Sequence, residues 1–201
     1  MSPELEKLRN LLSCVQYNSD QHSQTLLEEW DSQATLRSVQ LEMGTGDWFS
    51  FNPDKGRHFY QDTTRGPKKV YEVMSPLLNN SGSSPHNRAC DAVILVKRSS
   101  KIIALFLELK SAELPNASDY KEQLKSTACF WKYLTSIARD LHNLELPALE
   151  ERFAVFHTAP SMRKTTTQAT NRQATRDPNN PRLRPVQNGA TVYLRELLGE
   201  I

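Results

Sequence analysis

At 201 residues the chain is long enough for one α/β domain with its own core and short for two. Apolar residues make up 38% and charged residues 24%, an ordinary composition for a soluble protein on the polar side. The net charge of +2 announces no global attraction to nucleic acid, so any basic surface has to be local.

The three cysteines, Cys14, Cys90 and Cys129, are scattered, and none belongs to a CxxC pair. A structural zinc site, an iron–sulfur cluster and a disulfide framework are therefore not expected, which favours a reducing compartment. The opening MSPELEKLRN lacks the basic start and apolar run of a signal peptide, and the longest apolar runs are strand-sized. The expectation is a cytoplasmic protein with no membrane partner.

The first predicted element is a helix. Ser2 can cap it, Pro3 suits its first turn, and Leu5, Leu8, Leu12 and Val15 recur at helical spacing. A second helical stretch is predicted over 20–43, with Leu26, Leu27, Trp30 and Ala34 on one side, making 1–45 a helical N-terminal region. MGTGDWFSFNPDKG then breaks the pattern. Residues 68–78, KKVYEVMSPLL, fit a short helix or a strand, and NNSGSSPHN is a loop by composition.

DAVILVK and KIIALFLELK follow, separated by Arg98, Ser99 and Ser100. Both are apolar on both of their alternating faces, the pattern of central strands buried on both sides. Ser118 or Asp119 can cap a long helix in which Tyr120, Leu124, Ala128, Trp131, Leu134, Ala138 and Leu141 keep helical spacing. RFAVFHTA, at 152–159, reads as a further strand. Residues 161–188 are polar and irregular, with Pro178, Pro181 and Pro185, and a strand, ATVYL, and a short helix close the chain at 189–201. The order of elements predicts a single α/β domain with a mixed sheet flanked by helices, its core at 68–159.

An antiparallel hairpin turning between Ser99 and Ser100 sets Asp91 opposite Glu108, with the two Cβ atoms about 5 Å apart. Lys110, two residues beyond Glu108, points to the same face. A three-residue turn would move the pairing by one. Glu108 follows six apolar residues and precedes Leu109, so it is expected to be at least partly buried, where an unpaired carboxylate is costly. A surface ion pair at a strand end is the plainer alternative. Hard oxygen ligands such as Asp91 and Glu108 can hold Mg²⁺ with a phosphate and water. The carbonyl of Leu109 is a further possible ligand. Lys110 can orient or deprotonate water and offset charge on a phosphate.

Asp91, sixteen intervening residues and then Glu108-Leu109-Lys110 resemble the signature of the PD-(D/E)XK, restriction-endonuclease-like nucleases, over 68–159. Cys90 stands where the signature's proline often stands. The resemblance implies a restriction-endonuclease-like fold, with Asp91 and Glu108 as metal ligands and Lys110 as the catalytic lysine. An acidic residue from a helix before the aspartate often completes such a metal site; Glu72 is the preferred candidate, with Glu42 and Glu29 behind it. A polar residue on the following helix is also common, and Gln123 would lie near the Lys110 end of its strand. Thr127 occupies the tyrosine position of the Gln-x-x-x-Tyr variant, a departure that leaves the subfamily open.

His157 reads as a satisfied strand-end histidine rather than a phosphate contact, and Trp131 and Tyr133 as core and helix surface. Over 161–188 six basic residues, Arg163, Lys164, Arg172, Arg176, Arg182 and Arg184, face one acid, Asp177. Arg163, Lys164, Arg172 and Arg176 are the candidate phosphate contacts of a DNA or RNA backbone clamp; a solvated loop is the alternative.

The expected function is a Mg²⁺-dependent endonuclease, with Mn²⁺ able to substitute, that hydrolyses DNA, RNA not being excluded. Restriction or anti-phage defence is the setting the resemblance implies, with a homo-oligomer or a regulatory protein partner supplying control. The competing expectation is a catalytically silent nucleic-acid-binding or assembly subunit. No GxxxxGK[ST] loop supports a nucleotide enzyme.

Overall fold

The computed structural model describes residues 1–29, 32–56, 58–62, 69–73, 84–112, 115–159 and 173–200, with the backbone alone for 58–62, 69–73 and 119. Pro3 starts α1 (Pro3–Asn10), which buries Leu5 and Leu8. It ends before Leu12 and Val15, which the sequence pattern had extended it to; Val15 instead opens β1 (Val15–Asn18). Ser2 has the extended backbone of a cap residue but makes no side-chain cap hydrogen bond.

Residues 20–43 are not a helix. They form β2 (Gln24–Glu28) and β3 (Ser38–Glu42), an antiparallel pair. Burial alternates along both, inward at Thr25, Leu27, Val39 and Leu41. A two-residue period over strands with β-branched Thr25 and Val39 outweighs the helical spacing of the leucines.

Next come β4 (Trp48–Phe51), a single turn α2 (Pro53–Gly56), and β5 (His58–Asp62) paired antiparallel with β6 (Lys69–Val73). The ambiguous segment is thus a strand over 69–73. The two apolar runs are β7 (Ala92–Arg98) and β8 (Lys101–Lys110), and both are almost wholly buried. After them stand α3 (Ala117–Asp140) and β9 (Ala148–Thr158). The cap of α3 is Asn116, two residues before Ser118 and three before Asp119, and its side chain accepts from the Ser118 N–H at 3.3 Å.

The predicted irregular segment contains β10 (Arg182–Val186), and the chain closes with β11 (Ala190–Tyr193) and α4 (Leu194–Leu198). Six strands make one sheet in the order β1-β4-β7-β8-β9-β10. β8, β9 and β10 run parallel and the remaining pairs antiparallel, so the sheet is mixed. β10 is an edge strand, which is where Pro185 costs no ladder bond. β11, β3 and β2 form a second sheet.

The parity of the central strands sorts the core into two layers. Val93, Leu95, Ile102, Ala104, Phe106, Phe153 and Val155 pack against Leu5 and Leu8 of α1 and Leu124, Ala128 and Trp131 of α3. Ile94, Ile103, Leu105, Leu107, Leu109, Ala154 and Phe156 pack against Leu27, Val39 and Leu41 of the second sheet and Leu194 and Leu197 of α4. Leu27, Val39 and Leu41 are therefore strand residues because they roof a sheet face that would otherwise be wet. Among the described residues no helix is long and apolar enough to cross a membrane.

Candidate active site

The hairpin turns through Ser99 and Ser100, with Arg98 opposite Lys101 and Ser99 at φ 46°. Ala92 pairs with Leu107, so Asp91, one residue before β7, continues the ladder beside Glu108. Even-numbered β8 residues (Ile102, Ala104, Phe106) face α3, as do Val93 and Leu95. The same parity carries Asp91, Glu108 and Lys110 to the α3 side, as the two-residue turn predicts.

Backbone and side chain lock this arrangement. The Leu109 N–H donates to Asp91 Oδ2 at 2.6 Å. Lys110 Nζ lies 2.6 Å from Glu108 Oε1 and donates to Gln123 Oε1 at 2.8 Å. Gln123 in turn donates from Nε2 to the Ala89 carbonyl at 3.1 Å. Gln123 is thus brought to the lysine from α3 while holding the segment that leads into Asp91.

Thr127, one turn further along α3, completes that staple. Its fully buried hydroxyl donates to the Gln123 carbonyl and accepts from the Cys90 N–H, both at 2.9 Å. Ser126 Oγ donates to the His86 carbonyl at 2.9 Å, and Arg88 pairs with Glu122 at 3.2 Å. Thr127→Val keeps the shape but strands the buried Cys90 N–H, which should cost about 1–3 kcal/mol of stability. Thr127→Ser should restore it. Thermal melts of both variants check this, and a wild-type midpoint for Thr127→Val would show that the tie is slack.

The electrostatics are those of a site with more negative charge than it can solvate. Glu108 is 1% exposed, and its Oε2 has no hydrogen-bond partner among the described residues. Burial pushes the Glu108 carboxyl well above the usual carboxylate range, and the Asp91 charge adds to the rise. Burial likewise pushes Asp91 up to about 7, against the Leu109 N–H that favours its ionised form, while Glu29 adds to the rise. Lys110 loses hydration, which favours the neutral amine, but Glu108, Asp91 and Glu29 more than restore its affinity for a proton. Glu29, just past β2, bears on Asp91, Glu108 and Lys110 alike, and Asp54 of α2 on Asp91.

A hard divalent cation fits this chemistry. Two carboxylates converge, one buried oxygen has no hydrogen-bond partner among the described residues, and positive charge is what would lower both raised pKa values. Asp91 and Glu108 are the groups that would hold it. Among the described residues no group of three or more His, Cys, Asp or Glu side chains is arranged to hold a metal ion.

The other sequence candidates divide. Glu72 lies on β6, and its side chain is outside the described residues. Glu42 ends β3, where its Oε1 accepts from Gln40 at 3.3 Å. Of the two reserve acids, Glu29 is the one whose charge reaches the site. Leu109 meets Asp91 through its N–H and sends its side chain into the opposite core layer. Arg163, Lys164 and Arg172 are outside the described residues. Arg176 is exposed and pairs with Glu150 at 3.3 Å; Glu150 stands opposite Ile103, toward the far end of β8 from Lys110.

Trp131 is core at 1% exposure and Tyr133 is helix surface at 57%. His157 is buried, pairs in register with Lys110, and by the parity of Phe153 and Val155 shares its face. Sequence reading missed Thr127 as a staple and Asp54 as a neighbour. Thr127 carried a signal, one helical turn after Gln123; Asp54, on a separate short helix, carried none. Compared with known proteins, the chain matches no family model, no curated protein and no solved structure.

Proposed function

We propose that the chain is a Mg²⁺-dependent endonuclease hydrolysing phosphodiester bonds of DNA, with a restriction-endonuclease-like fold. The observation that carries the reading is the convergence of Asp91, Glu108, Lys110 and Gln123 at a buried carboxylate, one oxygen of which has no hydrogen-bond partner among the described residues. Support for the fold comes from the antiparallel hairpin β7–β8, followed by α3 and then by β9 parallel to β8.

A divalent cation bound between Asp91 and Glu108 would supply electrophilic polarisation of the phosphodiester and a lowered pKa for water. The protein's own residues provide the rest. Asp91 is aimed by the Leu109 N–H, and the Ala89–Cys90 segment before it is pinned by Gln123 and Thr127. Lys110 Nζ, held by Glu108 and Gln123, keeps its proton and offers positive charge to a non-bridging phosphate oxygen as charge builds there. Glu108 and Gln123 take two of the ammonium's three hydrogens, fix its direction and leave one to spare. DNA is the proposed partner, a defence effector in the cytoplasm the proposed setting, and a second copy or a regulatory protein the proposed source of control.

The test is cleavage of plasmid, single-stranded DNA and RNA with Mg²⁺, Mn²⁺ or EDTA, comparing wild type with Asp91→Ala. Metal-dependent cleavage of DNA that disappears in the variant is the expected result. Tight binding of nucleic acid with no cleavage under any condition would establish the silent-subunit reading instead, and equal activity of variant and wild type would remove Asp91 from the site.

A further inference from the structure

On the opposite face of the sheet from Lys110 lies a second concentration of charge. Arg152 of β9 shares the parity of Ala154 and Phe156, whose layer excludes α3. It pairs in register with Leu105, three residues short of Glu108, so it is displaced by about 10 Å along the strand as well as through the sheet. Around it is an open pocket of about 370 Å³ lined by Arg152, Gln173, Ala174, Thr175, Arg176 and Arg182. Three guanidinium groups line it, and among the described residues no acidic side chain does.

The arginines are not equivalent. Arg152 is buried and fully committed: it pairs with Glu150 and donates from an Nη to the Ala174 carbonyl at 3.1 Å. Glu150, set back from the pocket lining, also holds Lys101 Nζ at 2.7 Å. One carboxylate therefore sits among three cations, Lys101, Arg152 and Arg176, and Arg182 adds a further cation to the pocket lining. Arg182 uses Nε on the Gln173 carbonyl at 3.1 Å, which orients its fork. Arg176 touches Glu150 at 3.3 Å yet is 69% exposed, so most of its five donors face water. A buried, neutralised arginine forms the floor, and two arginines with donors to spend form the rim.

We propose that this pocket binds a phosphate group, gripped by the forks of Arg176 and Arg182 over the floor set by Arg152 and Glu150. Planar guanidinium forks match two phosphate oxygens at once, and the local excess of positive charge attracts a dianion in preference to a neutral ligand. The phosphate belongs either to a free phosphorylated small molecule or to a nucleic-acid backbone; the chemistry of recognition is shared. The pocket is distinct from the Asp91–Glu108–Lys110 site and does not depend on the nuclease reading, because its ligand binds without metal.

The experiment is titration, in EDTA, of the full chain with pyrophosphate by calorimetry and with a short labelled DNA oligonucleotide by fluorescence anisotropy. Arg176→Ala/Arg182→Ala is compared with wild type and with Lys110→Met, and Arg182→Glu serves as an independent variant. Circular dichroism verifies the fold of each. Affinity should fall about tenfold or more in both arginine variants and persist in Lys110→Met. A fall for pyrophosphate alone assigns the pocket to a free phosphorylated ligand, and a fall that includes the oligonucleotide assigns it to a backbone. The proposal is overturned if wild type binds neither probe, if the arginine variants bind both as wild type does, or if Lys110→Met loses binding to the same extent.

Discussion

Lys110→Met should lower metal-dependent cleavage by about 10²- to 10⁴-fold while leaving the fold intact, the range expected when one positioned charged or proton-transferring group is removed. The ammonium lies 2.6 Å from Glu108 Oε1 and 2.8 Å from Gln123 Oε1, so its place is fixed before any substrate arrives. Its proton is held against the cost of burial by Glu108, Asp91 and Glu29. What it brings is therefore charge at a fixed point, and methionine keeps the length of the stem without the charge. Lys110→Arg should recover little, because a planar fork cannot occupy the small ammonium's place between two oxygens. Single-turnover cleavage under saturating metal reads the loss directly. A Lys110→Met variant within threefold or so of wild type would mean that the chemistry needs no cation at this position, and the assignment of roles would fail with it.

Glu108→Gln should do two opposite things: abolish metal-dependent activity and raise the melting temperature of the metal-free protein. A carboxylate at 1% exposure beside a second one is a liability, because each charge must be held with little water. The amide keeps the shape and an oxygen for Lys110. The gain should be about 1–3 kcal/mol at neutral pH, worth about 2–4 °C per kcal/mol in a chain of this size.

The effect has a pH signature. Both carboxyls have folded-state pKa values above their usual ones, so the folded chain holds these protons more tightly than the unfolded chain. Their contribution to stability is full at low pH and is lost as pH rises; for Asp91 the loss runs from its ordinary 3.8 up to about 7. Glu150, lowered from 4.5 to about 2, acts with the opposite sign, and its pH dependence is exhausted by pH 4.5, at the foot of that window. The melting-temperature difference between Glu108→Gln and wild type in EDTA should therefore widen from about pH 4 to pH 7. Saturating Mg²⁺ should narrow it by stabilising only the wild type. A difference that is flat with pH, or a variant less stable than wild type throughout, would show that Glu108 is not held under electrostatic stress.

What could be read from the amino acids follows the range of the interactions involved. The hairpin was legible because β7 and β8 are continuous apolar runs around a two-residue turn, and period two then fixes which side chains share a face. The α3 helix was legible for the same local reason, and with it the approach of Gln123. The region 20–43 was not. Leu26, Leu27, Trp30 and Ala34 fit a helix taken alone, and only the need to roof Ile103, Leu105, Leu107 and Leu109 makes β2 and β3 the better use of that chain. β10 hid among prolines because an edge strand needs a backbone ladder on one side only. The reserve acid Glu29 reaches the site from just past the end of β2 in the second sheet, an approach decided by layer packing over some eighty residues of chain. No local pattern encodes that.

The staple between α3 and the segment before β7 also orders events in time. Asp91, Glu108 and Lys110 are all synthesised within one hairpin, yet the groups that fix them, Gln123 and Thr127, follow on a helix whose docking face is shared with Phe153 and Val155 of β9. A nascent chain that has released only the hairpin holds the charges without their scaffold. The site reaches its final geometry only when β9 has emerged from the ribosome and paired alongside β8, a non-local closure that ranks among the slower steps of folding. The order of the chain withholds that arrangement of charges until the domain is nearly complete.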